Sequence, residues 1–140
     1  MDRILVAYDD SPPARRALAE AVRLARVEGA RLIAVAVAEH PLAFDGASLG
    51  EVREDHERRQ RACRLWLRAA EAYADEHGIQ LQTGIRSGSF AQQLARAAAI
   101  HQAELVVIGR RSHPSLWRRL TGTKAEKTAR HLGCPILVAG

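Results

Sequence analysis

Polar and apolar positions fall into alternating blocks with two different periods. Ile4-Leu5-Val6-Ala7, Leu32 to Val37, Leu105-Val106-Val107-Ile108 and Ile136-Leu137-Val138-Ala139 are short, nearly unbroken apolar runs. Such runs suit strands buried on both faces. Ile79 to Ile85 instead alternates, with Ile79, Leu81, Thr83 and Ile85 on one side. That is the pattern of an edge strand with one wetter face.

Between these runs the period lengthens to that of a helix. Ala14, Ala17, Leu18, Ala21, Val22 and Ala25 form one face after the turn Asp9-Asp10-Ser11-Pro12-Pro13. Ser11 is suited to the N-cap and Pro12 to the first helical position, and Gly29 ends the helix. Glu39 to Gly50 has no period and reads as a loop, and Glu51 to Arg61 as the charged, exposed start of a long helix. Cys63, Trp66, Ala70, Tyr73, Ala74 and His77 give that helix its apolar face, and Gly78 closes it. Phe90, Leu94, Ala95, Ala98 and His101 mark a third helix, and Thr123 to Leu132 a fourth.

The order is β-α-β-α-β-α-β-α-β with short connections. It predicts an α/β fold: one doubly wound domain over residues 1–140, a parallel sheet with helices on both faces. In such sheets ligands bind beyond the carboxyl ends of strands, where the winding reverses. If the first and fourth strands are neighbours, Asp9 and Gly109 meet at that point.

Charge sharpens this expectation. The net charge is +5, and Arg110 to Lys124 carries five cations and no acid. The excess is therefore local and suggests an anionic partner. Gly109 leaves a buried strand, and Gly122 opens a helix whose Thr123 and Glu126 have capping-box spacing. Backbone N–H groups and the positive helix end would face the same space as the cations, an anion cradle. Glycines that merely punctuate, with solvated cations, are the alternative.

Other classes find less support. No run of about 20 apolar residues marks a membrane span, and the start, Met1-Asp2-Arg3-Ile4-Leu5, has no n-region or cleavage site. Cys63 and Cys134 lack metal spacing and read as reduced thiols, so a cytoplasmic location is expected. The six histidines are scattered, and no G-x-x-x-x-G-K-[ST] occurs. No general base is poised on the basic loop; Asp9 is the sole candidate. An enzyme is not expected, beyond slow incidental ATP hydrolysis. One basic loop with few aromatics makes nucleic acid an unfavoured partner.

Four stretches together resemble the universal stress protein family over essentially the full length. They are Ile4-Leu5-Val6-Ala7-Tyr8-Asp9-Asp10-Ser11, Val106-Val107-Ile108-Gly109, Gly122-Thr123, and Cys134-Pro135-Ile136-Leu137-Val138. The family's glycine motif spaces two glycines by two residues and a glycine with serine or threonine nine residues later. Gly109 and Gly122-Thr123 fit that spacing, and Ser112 stands at the second glycine.

The resemblance implies a five-stranded parallel sheet in order 3-2-1-4-5 with four helices, Rossmann-like and similar to the adenine nucleotide alpha hydrolases. It implies a homodimer built along the last strand, 136–139, and unidentified regulatory protein partners. It also implies a stress-response regulator or sensor that binds ATP or a related adenine nucleotide, with Mg2+ able to accompany it. The implied site comprises Ala7, Tyr8, Asp9, Val37, Gly109, Arg110, Arg111, Ser112, Gly122, Thr123 and Lys124. Asp9 and Val37 match the base and ribose contacts, and the residues from Gly109 onward match the ribose and phosphate cradle.

Each residue also has a structural explanation. Asp9 and Asp10 suit the turn before the first helix, Val37 the core, and Thr123 a cap. Lys124 runs against the helix dipole, which favours a phosphate role. Serine in a left-handed conformation costs on the order of 1 kcal/mol, yet Ser112 brings a hydroxyl for phosphate. Arg110 and Arg111 suit phosphate oxygens. A dimeric interaction module of the same family that binds no nucleotide is the competing reading.

Overall fold

The computed structural model describes residues 1–39, 48–110 and 132–140. Five strands and three helices lie within them: β1 (Arg3–Ala7), α1 (Pro12–Glu28), β2 (Arg31–Ala38), α2 (Leu49–Glu76), β3 (Leu81–Ser87), α3 (Phe90–Ile100), β4 (Leu105–Gly109) and β5 (Ile136–Ala139). The expected fourth helix, 123–132, falls almost wholly outside the described residues.

All pairings are parallel, and the strand order is β3-β2-β1-β4-β5. This is the expected Rossmann-like sheet. β1 pairs with β2 through Ala7↔Val35 and with β4 through Val6↔Val107, so the winding reverses between β1 and β4.

The alternation of β1, β2 and β4 builds two cores. On one face Ile4, Val6, Leu32, Ala34, Ala36, Ala38 and Val107 pack beneath α1 and α2. The facing helices contribute Ala14, Ala17, Ala21 and Ala25 from α1 and Ala70 and Ala74 from α2. With so many side chains of one carbon, both helices can lie close on the sheet. On the other face Leu5, Ala7, Ile33, Val35, Val37, Val106 and Ile108 pack against Phe90, Leu94, Ala97 and Ala98 of α3 and against Leu132.

α1 forms as its sequence predicts. The Ser11 hydroxyl accepts from the Ala14 amide, Pro12 opens the helix, and Gly29 caps it in the left-handed conformation at φ 66°. The six expected apolar positions are its buried residues.

Two boundaries differ from expectation. α2 begins at Leu49, with Gly50 inside its first turn, because Ser48 caps it by accepting from the Glu51 amide. Ser48 and Glu51 have capping-box spacing, which outweighs one glycine. Leu67 joins Cys63, Ala70 and Ala74 as a buried residue, while Trp66 and Tyr73 are only partly buried. β3 begins at Leu81 because the Ile79 amide donates to the Ala74 carbonyl in the turn that ends α2.

β3 is an edge strand, as its alternation predicts. Ile79, Leu81 and Ile85 face the α1/α2 core, and Thr83 on the same side bonds Glu71 of α2. No described helix is long and apolar enough to cross a membrane.

Candidate functional site

The carboxyl ends of β1, β2 and β4 meet where the sheet reverses. Ala7 is fully buried on the α3 face. Tyr8 turns to the opposite face, beneath α1 and α2. β1 pairs with β2 as far as Ala7↔Val35, the Tyr8 amide donates to the Val35 carbonyl at 2.9 Å, and Asp9 opens the turn just beyond, at the same end of the sheet as Val37. Val37 ends the α3-side core at 9% exposure. It is a side chain at a rim rather than at the centre.

Asp9 and Asp10 build the turn from β1 into α1. Asp9 Oδ1 accepts from the Ser11 amide at 3.1 Å and from the Ser11 hydroxyl. The turn role expected of these carboxylates is therefore present at Asp9. Asp10 adopts φ 60°, the left-handed region that aspartate tolerates better than most residues. Its Oδ1 accepts from the Tyr8 hydroxyl at 2.7 Å and pairs with Arg15 at 3.3 Å.

Burial, reinforced by the bond to Asp10, pushes the Tyr8 phenol far above its ordinary range. The sign is fixed. The folded chain keeps a proton that the unfolded chain loses above about pH 10. This contribution is complete below that pH and is lost as pH rises above it. Urea midpoints at pH 8 to 11 should show wild type more stable than Tyr8→Phe at the lower end. The gap should narrow above about pH 10. A constant gap would show that the phenol ionises alike in both states.

Gly109 closes β4 and contacts α1. A Cβ there would lie 2.4 Å from both the carbonyl carbon and oxygen of Pro13 and 2.8 Å from the Ala14 amide nitrogen. The first turn of α1 thus rests on the end of β4. One steric contact ties the Asp9–Ser11 turn to the start of the basic loop. The Arg110 amide continues the ladder by donating to the Ala139 carbonyl at 2.9 Å. Arg111, Ser112, Gly122, Thr123 and Lys124 lie outside the described residues.

Ala7, Asp9, Val37, Gly109 and Arg110 are thus brought to one edge of the sheet, while the Tyr8 ring points away from the Val37 face. Two further residues at this edge escaped sequence reasoning. Arg86 is paired in register with Val37, and its Nε donates to Gln93 Oε1 of α3 at 2.9 Å. The one available signal was period: Gln93 lies three residues after Phe90, on the buried side of α3. Neither thiol is primed to react, since burial raises the pKa of both Cys63 and Cys134.

The chain matches the model of the universal stress protein family over residues 1–140. It is 30% identical over 135 residues to a universal stress protein of Thermus aquaticus, the match covering 96% of each chain. The crystal structure of a protein of this family from Burkholderia pseudomallei superposes with a TM-score of 0.75 at 29% identity, over 98% of this chain and 94% of that one. A universal stress protein in complex with cAMP shares the fold, with a TM-score of 0.71 at 22% identity over 99% of this chain and 97% of that one. The chain belongs to the universal stress protein family.

Proposed function

We propose that this protein is a nucleotide-binding regulator or sensor in the stress response, taking ATP or a related adenine nucleotide, rather than an enzyme. The observation that carries the reading is the meeting of Asp9, Val37, Gly109 and Arg110 at the reversal of the sheet. The cation-rich stretch to Lys124 begins there. Relatives support it: solved universal stress proteins hold cAMP, AMP in Arabidopsis thaliana and dAMP in Archaeoglobus fulgidus. These residues fit such a group. Val37 supplies an apolar floor, Asp9 an acceptor for base or ribose, and Arg110, Arg111, Ser112, Thr123 and Lys124 donors for phosphate oxygens. Mg2+ would accompany the phosphates. Occupancy would order the segment from Arg110 to Thr121 and alter a surface that protein partners contact.

The protomer pairs, in this reading, as a cytoplasmic homodimer through β5. That strand bonds only β4 among the described residues, and Ile136, Leu137 and Val138 stay half-buried.

One observation favours a second reading, an interaction module without nucleotide. Gly109 is already required by its contact with Pro13, so its presence needs no ligand. Ser112 at the motif's second glycine points the same way.

Acid release of ligand from the purified protein, followed by calorimetric titration of ATP, decides between them. Bound adenine nucleotide, or micromolar rebinding abolished by Gly122→Val, is the expected result. Absence of ligand, with no heat at millimolar ATP, would leave the interaction module.

A further inference from the structure

Gln93 is the one buried polar or charged side chain among the described residues, at 7% exposure. It lies between Phe90 and Leu94 on a helix face that otherwise buries carbon. An amide there is a poor choice for packing, because each polar atom must find a partner. Its oxygen has one, the Arg86 Nε. Gly88 makes room for the amide: at φ 133°, a Cβ on it would stand 2.9 Å from Gln93 Nε2. The turn is held by the Gly88 amide, which donates to the Ala38 carbonyl at 3.1 Å. Three residues thus fix one guanidinium.

The bond to Gln93 uses Nε alone. The terminal nitrogens of Arg86 make no hydrogen bond or ion pair among the described residues, which leaves a planar fork of donors. That fork stands at the carboxyl end of β3. Arg86 pairs in register with Val37 and, through Gln93, shares its α3 face.

We infer that Arg86 reads the edge of the bound base and that Gln93 is its positioning residue, so that the site accepts guanine as well as adenine nucleotides. This rests on the nucleotide reading above and widens it to purine nucleotides. In that reading the phosphates lie at the end of β4, where Arg110 stands. Adjacent strands lie about 4.8 Å apart, so a nucleotide extending from there along the crevice carries its base across β1 to β2. The next group beyond Val37 is Arg86. A guanidinium donates two parallel bonds to the O6 and N7 acceptors of guanine, whereas adenine offers N7 beside a donor amine. Arg86 therefore contributes more to a 6-oxopurine than to adenine.

The test is titration of ATP, GTP, GDP and GMP into nucleotide-free wild type, Arg86→Met, Arg86→Lys and Gln93→Leu, with circular dichroism to confirm folding. Wild type should bind GTP within about ten-fold of ATP. Arg86→Met should weaken GTP about ten-fold or more and ATP by less. Arg86→Lys, which keeps the charge and loses the fork, should not restore GTP. Gln93→Leu should shift the ATP-to-GTP ratio in the same direction, which a purely structural glutamine would not do. Wild type preferring ATP a hundred-fold, an unchanged ratio in Arg86→Met, or a loss that grows from GMP to GDP to GTP would overturn the inference. Failure of wild type to bind either nucleotide would instead overturn the nucleotide reading, and this inference with it.

Discussion

Gly109→Ala is expected to destabilise the protein by about 3 kcal/mol or more, at the upper end of what overpacking costs. The added methyl would stand 2.4 Å from the Pro13 carbonyl group and 2.8 Å from the Ala14 amide nitrogen. Those atoms are backbone, so no rotamer change relieves the clash. Pro12 and Pro13 stiffen that turn, and α1 is anchored beyond it by six buried side chains. Relief requires lifting the start of α1 from β4, which exposes part of the alanine-lined core. The urea midpoint should fall steeply with the m-value unchanged. Gly84→Ala in β3 is the control. It has no heavy atom within 4 Å of the new Cβ and no left-handed φ, so it should stabilise by about 0.5 kcal/mol. Equal effects at both glycines would mean that α1 does not rest on Gly109.

Leu94→Ala should cost about 3 kcal/mol, within the range for deleting a buried leucine. Leu94 has no exposed surface and belongs to the core formed by Leu5, Ile33, Val35, Phe90 and Val106. The strands beneath are held in register on both sides, and α3 is a short helix of 11 residues. The cavity can therefore close only by a shift of α3. Leu94→Met, which nearly conserves volume, should cost less than about 1.5 kcal/mol. Thermal and urea unfolding of both variants checks this. A loss below about 1 kcal/mol in Leu94→Ala would show α3 to be loosely seated. Because α3 also carries Gln93, the variant should loosen the grip on Arg86 as well.

Much of this architecture is legible in the order of residues alone. Both signals for α1, the apolar period and the Ser11–Pro12 start, are local, and the helix obeys both. The apolar runs locate β1, β2 and β4 because a strand buried on both faces leaves no choice of residue; a similar run locates β5, which is half-buried at the sheet edge among the described residues. The boundaries of α2 and β3 depart from expectation where two local rules compete. Gly50 suggests a break, yet the Ser48 cap governs. Ile79 continues the alternation, yet its amide is taken by the end of α2.

At the site, Asp9 and Gly109 are legible from the winding of the sheet. Their meeting follows from strand order, and the order follows from the family resemblance. The dependence of Gly109 on Pro13 is not legible, since it joins positions nearly a hundred residues apart. Arg86 and Gln93 are hidden although only seven residues separate them. Each is ordinary in its own element, and only the packing of α3 beside the end of β3 brings them together.

The alanine layer beneath α1 and α2 has a consequence for how this sequence can drift. Its side chains have almost no atoms left to give up, and the close approach of helices and sheet leaves little space for them to grow. Nearly every enlarging replacement at Ala17, Ala21, Ala34 or Ala36 would be removed by selection. On the opposite layer, Leu, Ile, Val and Phe can trade volume among themselves at small cost. One side of the sheet should therefore keep a slow molecular clock and the other a fast one, within the same 140 residues.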